Sequence, residues 1–100
     1  MELEVSWEET AEEQLDQNLH FLLTSFGSGA ATSLMNAIQK AVEQLSRYPE
    51  SGRAVPIDLD PPIRYVSVRQ SHFLYYWFDQ RTLYIVGLYG TKQIVDNPYR

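Results

Sequence analysis

Phe73-Leu74-Tyr75-Tyr76-Trp77-Phe78 is the stretch on which the fold turns. Consecutive aromatic residues favour an extended strand. Successive side chains of a strand point to opposite faces, so Phe73, Tyr75 and Trp77 form one set and Leu74, Tyr76 and Phe78 the other. A strand with one solvated face alternates apolar with polar residues. Here both faces call for cover. Strand-like runs rich in Val, Ile and Tyr flank it, Ile63–Arg69 before and Leu83–Tyr89 after. Gln70-Ser71-His72 and Asp79-Gln80-Arg81 are short enough to be hairpin turns, which predicts a three-stranded antiparallel meander.

Toward the N-terminus, residues 49–62 hold four of the five prolines and Gly52, and read as a loop with little regular structure. Ahead of it, Ala31, Leu34, Ile38, Ala41 and Leu45 make a helical stripe, widened by Met35 and Val42 and closed by Tyr48-Pro49. An earlier stripe, Ala11, Leu15, Leu19, Leu22, Leu23 and Phe26, predicts a helix of about 17 residues stopped by Gly27-Ser28-Gly29. Ser6 followed by Glu9 fits a capping box for that helix. Leu3–Ser6 alternates as a short strand.

The order strand, helix, helix, three strands predicts an α+β fold: a β-α-α-β-β-β chain whose antiparallel helical hairpin packs on one face of an antiparallel sheet. Two helices cover only one face. The other face, with Phe73, Tyr75 and Trp77, reads as a partner-binding surface, because large exposed apolar patches mark interaction sites. The alternative is that the loop at 49–62 or the tail from Gly90 to Arg100 folds over it.

Composition narrows the function. The chain has 100 residues, a length that suits one domain spanning 1–100. Without cysteine there is no disulfide, thiolate zinc site or cysteine nucleophile, and His20 and His72 are too few for a zinc cluster. No metal or phosphate-loop motif is present, so no metal and no cofactor are expected. No apolar run reaches bilayer length and the first residues are acidic, which reads as a soluble, cytoplasmic protein without membrane contact. The net charge is −5, unsuited to general nucleic-acid binding. Residues 1–50 carry nine acids against Lys40 and Arg47, whereas residues 51–100 carry six cations against four acids. A polyanion contact would therefore lie in the second half.

His20 reads as a packing or surface residue, His72 as a turn residue, and the first helix's acids as a solvated face. What remains is a metal-independent site of cations and tyrosines on the sheet: Arg64, Arg69, Lys92, Tyr75 and Tyr89. Cleaving RNA by its own 2′-hydroxyl needs a base, an acid and cations for the developing charge. Arg64 and Lys92 supply only the cations.

Several landmarks run in order along the chain: Val5-Ser6-Trp7 with Ala11 and Leu15; Leu45, Tyr48-Pro49, Gly52-Arg53 and Val55-Pro56; Arg64; Tyr75-Tyr76; and Leu88-Tyr89-Gly90-Thr91-Lys92. In order and spacing the chain resembles the RelE/ParE family of type II toxin–antitoxin toxins. The resemblance implies a growth-inhibiting toxin neutralised by a cognate antitoxin that wraps the sheet surface. Two branches compete. RelE-like members are ribosome-dependent mRNA endoribonucleases, for which Arg64, Lys92 and Tyr89 would be the catalytic candidates. ParE-like members bind DNA gyrase. Phe73 stands where RelE-type sequences place an arginine, Tyr89 and Thr91 replace a basic residue near the last strand's end, and the chain is acidic. The resemblance is thus closer to ParE, implying a binding poison rather than an enzyme, with Arg64, Arg69, Phe73, Tyr75, Trp77, Tyr89 and Lys92 as antitoxin- or target-binding residues. A third reading is a non-toxic binding module acting only with its antitoxin. A homodimer or a toxin–antitoxin heterotetramer is the expected assembly.

Overall fold

A computed structural model describes residues 2–93 and 97–99. Strand β1 (Glu4–Trp7) leads into helices α1 (Glu9–Phe26) and α2 (Ser28–Arg47). One 3₁₀ turn, Pro49–Ser51, and a two-residue strand β2 (Arg53–Ala54) precede β3 (Arg64–Val68), β4 (His72–Phe78) and β5 (Thr82–Gly90). The α+β architecture expected from the sequence is present, with the helical hairpin on one sheet face. The meander β3-β4-β5 is antiparallel throughout.

Three details differ from the expectation. The sheet is mixed rather than antiparallel, in the order β1-β5-β4-β3-β2, because β1 lies parallel to β5 with Val5 opposite Leu83 and Trp7 opposite Ile85. The loop at 49–62 contributes β2, whose Arg53 and Ala54 pair with Tyr65 and Arg64. The capping box does not form: Ser6 stays in the β1 ladder, which continues through the Glu8 N–H to the Ile85 carbonyl, and α1 begins after Glu8 with no side-chain cap. Glu9 and Glu12 still place negative charge in the first turn, where the helix dipole favours it.

Between helices and sheet lies the main core. Ala11, Leu34, Ile38 and Leu45 from the helices meet Leu74, Tyr76, Leu83, Ile85 and Leu88 from the sheet. Each of these leucine and isoleucine side chains contributes roughly 1.5–3 kcal/mol by leaving water. A single residue, Gly27 at φ +93°, separates the helices, a conformation that glycine adopts without steric cost. The apolar stripe of α1 does not end in the core: Leu15, Leu19 and Leu22 pack against it, whereas Leu23 and Phe26 are exposed. Leu23 is one helical step off the stripe, and Phe26 sits at the helix end beside the rim of the sheet.

Register on the sheet is broken once. Tyr75 opposes Gly87 while Tyr76 opposes Ile85, so Val86 is the extra residue of a β-bulge. The bulge sets Val86 beside Gly87 on the face away from the helices.

Candidate functional site

That second face carries its own small core. Tyr75 and Tyr89, 4 % and 7 % exposed, pack with Val86 beneath Val55 and Ile63 of the preceding loop. The alternative reading of the face therefore accounts for its centre: the chain covers it with its own loop and with Tyr99. Partner binding through Tyr75 or Tyr89 would need that cover to move. Phe73 and Trp77 are half-buried at its margins, Phe73 edge-on to Tyr65 and Trp77 stacked on Tyr84 at 4.2 Å.

Arg64 opens β3 as a fastener rather than a free cation. Its Nη1 donates to the carbonyls of Gly52 (2.8 Å) and Glu50 (3.2 Å). Opposite it, the buried Tyr76 hydroxyl donates to the Pro49 carbonyl at 2.6 Å and accepts from the Gly52 N–H at 3.0 Å. Burial raises the Tyr76 pKa above its ordinary value, opposed by the Gly52 hydrogen bond and the Arg64 charge. Gly52 is required here, since a Cβ at this position would sit 2.8 Å from Tyr76 Cε1.

The three ribonuclease candidates do not converge. Arg64 pairs with Tyr76 near one end of β4, whereas Lys92 follows Gly90, the partner of His72 at the other. Four residues of strand separate those positions, about 13 Å at the usual rise. Tyr89 lies in the cluster on the second face.

Lys92 instead belongs to a groove of about 620 Å³ between the end of α1 and the far rim of the sheet. Phe21, Leu22 and Phe26 form its apolar wall, with Phe21 and Phe26 being 60 % and 70 % exposed. Ser71, His72 and Gly90–Gln93 form the opposite wall. Arg69 is close enough that its charge lowers the His72 pKa, after burial, which is the larger cause. Asn18 Nδ2 donates to the Gln14 carbonyl (2.7 Å), which leaves Asn18 Oδ1 to accept from His72 Nε2 at 2.8 Å. Nδ1 then accepts from the Ser71 hydroxyl, also at 2.8 Å. His72 is thus a buried neutral strut between hairpin and helix, more than a turn residue. Arg69 and Gln70 occupy the turn with φ of 54° and 60°, the left-handed region that glycine and asparagine prefer.

The groove was not legible from sequence alone. Phe21 lies off the helical stripe and Phe26 looked like part of it; only the length of the helix relative to the sheet shows that both are left outside. Ile94, Val95, Asp96 and Arg100, part of the tail read as possible cover, lie outside the described residues. Among the described residues no group of three or more His, Asp or Glu could hold a metal ion, and no helix is long and apolar enough to cross a membrane.

Comparison with known proteins follows the same lines. The fold is similar to a solved structure described as a chromosomal ParDE TA system from P. aeruginosa, with TM-score 0.72, 16 % identity, and 88 % of this chain and 95 % of that one covered. It is also similar to a YoeB/ParE toxin from Agrobacterium tumefaciens, with TM-score 0.59, 12 % identity, and 88 % and 98 % covered. No curated protein matches the sequence. The sequence matches the family described as ParE toxin of type II toxin-antitoxin system, parDE, over residues 5–95. The chain belongs to the ParE family of type II toxins, and the family implies an antitoxin partner.

Proposed function

We propose that this toxin, acting as one cytoplasmic domain over residues 1–100, arrests bacterial growth by binding DNA gyrase and is neutralised by an antitoxin encoded beside it. The observation that carries the reading is the groove beside α1. A chain of this size has few apolar residues to spare, yet Phe21 and Phe26 face solvent in a groove they share with Lys92. Exposed aromatics rimmed by cations are the ordinary anchors of a protein–protein interface. The separation of Arg64, Lys92 and Tyr89 supports binding over ribosome-dependent mRNA cleavage. Phe73 and Trp77 extend the same binding role to the second face, where an antitoxin segment would add cover.

The test is a pulse-label after brief induction, following leucine and thymidine incorporation together, with a supercoiling assay on purified gyrase. Thymidine incorporation falls first under this reading, and purified toxin inhibits supercoiling. Phe21→Ser/Phe26→Ser removes the arrest while melting at an unchanged or higher temperature, since both rings are exposed. An early fall in leucine incorporation, or full toxicity of the double variant, refutes the reading.

A further inference from the structure

The cover on the second face has an internal logic of its own. Tyr99 stacks on Tyr75 with ring centroids 4.5 Å apart and meets Tyr89 edge-on at 6.3 Å. Asn97 Nδ2 donates to the Tyr75 hydroxyl at 2.8 Å, and Asn97 Oδ1 accepts from the Tyr99 N–H at 2.9 Å. Gly87 makes the recess possible: a Cβ there would lie 2.8 Å from Tyr89 Cε2 and 3.4 Å from Tyr99 Cε2. The bulge at Val86 is what turns this glycine toward the recess. Three sheet residues thus form a slot with an aromatic floor and one polar handle, and a three-residue segment fills it with one ring and one amide.

We propose that the slot of Tyr75, Gly87 and Tyr89 is a recognition site for a segment of a partner protein carrying an aromatic residue two positions after an asparagine or glutamine, a site that Asn97-Pro98-Tyr99 occupies in cis. This goes beyond the proposed function and does not depend on which target the toxin binds. The argument for an outside occupant is one of extent. Asn97 and Tyr99 lie over the middle of an aromatic strip that continues through Tyr65 and Phe73 on one side and Trp77 and Tyr84 on the other. Those rings are half-buried, so a longer segment with the same pair of residues gains contacts beyond the ones Asn97 and Tyr99 make. The chain's own tail competes as a tethered ligand with an effective concentration on the order of millimolar, which sets the threshold an outside segment must exceed.

The test uses the full chain carrying Asn97→Ala and Tyr99→Ala, which empties the slot, and a synthetic peptide of residues 93–100 as the probe. Binding is followed by amide chemical shifts. The variant binds the peptide with shifts centred on Tyr75, Gly87 and Tyr89, at least about tenfold more tightly than the unaltered chain does. A peptide with alanine in place of its tyrosine binds at least about tenfold more weakly, as expected for loss of a stacked ring. Should the double variant fold poorly, Asn97→Ala alone, which keeps the ring of Tyr99, shows intermediate peptide affinity. Failure of both variants to bind the peptide, or equal binding of the alanine peptide, overturns the proposal. So does a concentration-dependent dimer of the unaltered chain that the double variant abolishes, which would assign the slot to tail exchange between copies.

Discussion

Tyr76→Phe removes one oxygen atom from the protein and is expected to loosen a whole loop. The hydroxyl is the shared partner of the Pro49 carbonyl and the Gly52 N–H, both of which lose it at once. A buried backbone group left unpaired costs about 1–3 kcal/mol, and relief of the hydroxyl's own desolvation offsets part of the sum, so the net loss is about 2–4 kcal/mol. For a domain of this size each kcal/mol moves the melting temperature by about 4–8 °C, so a fall of about 8 °C or more is expected. Arg64 still holds the Gly52 and Glu50 carbonyls, which keeps the loop attached and the transition cooperative. Thermal melts and urea titrations measure the loss. Hydrogen exchange locates it, because the Val55 N–H that donates to Ile63 should exchange faster than core amides of β4. Gly52→Ala strikes the same latch from the other side, and the two losses should be less than additive. A melting shift under about 3 °C for Tyr76→Phe, or strict additivity with Gly52→Ala, would refute this account of the latch.

Two further variants address the hairpin tip and its histidine. Arg69→Asn with Gln70→Gly relaxes two left-handed residues and should stabilise the protein by about 1–2 kcal/mol, read as a higher urea midpoint; an unchanged midpoint would show that the turn carries no strain. His72 is held below its ordinary pKa of 6.5 by burial and by Arg69, so the unfolded chain takes up its proton first. Stability from this group is complete above pH 6.5, declines as pH falls toward the folded-state pKa, and levels off below it. Among the described residues, Asn18, Ser71, Arg69 and Lys92 lie around it, and none of these is acidic. In His72→Gln that slope should disappear from stability measured between pH 5 and 7; persistence of the slope would assign it elsewhere.

What the sequence made legible was whatever depends on periodicity. The alternation in Phe73–Phe78 and the stripes of the two helices led to the right elements, because burial on one face imposes a repeat that a single chain displays. Partnerships between distant residues left no such trace. Nothing in Glu4–Trp7 says that its neighbour is Thr82–Ile85, or that their ladder would draw Ser6 away from the helix it could cap. The bulge was similarly hidden: Ile85 and Leu88 are spaced by three where a regular strand requires an even number, a clue that matters only once both are known to face the helices. Arg64 looked like a free charge because its partners are carbonyls, which every residue has. The groove beside α1 depended on where a helix ends relative to a sheet, a comparison of lengths that a pattern of residue types does not contain.

Pairing of β1 with β5 also governs when the molecule can come into being. Val5 of β1 has its ladder partner at Leu83 of β5, with both helices and the β3–β4 hairpin lying between them in the chain. Closing so long a loop is entropically demanding and slows folding relative to a chain of local contacts. The helical hairpin and the β3–β4 hairpin can form while synthesis continues, but the sheet's parallel edge must wait until β5 is complete. A nascent chain therefore lacks this edge until β5 has been made. Any antitoxin that engages β5 or the groove at its end has the interval between synthesis of β5 and closure of that edge in which to arrive.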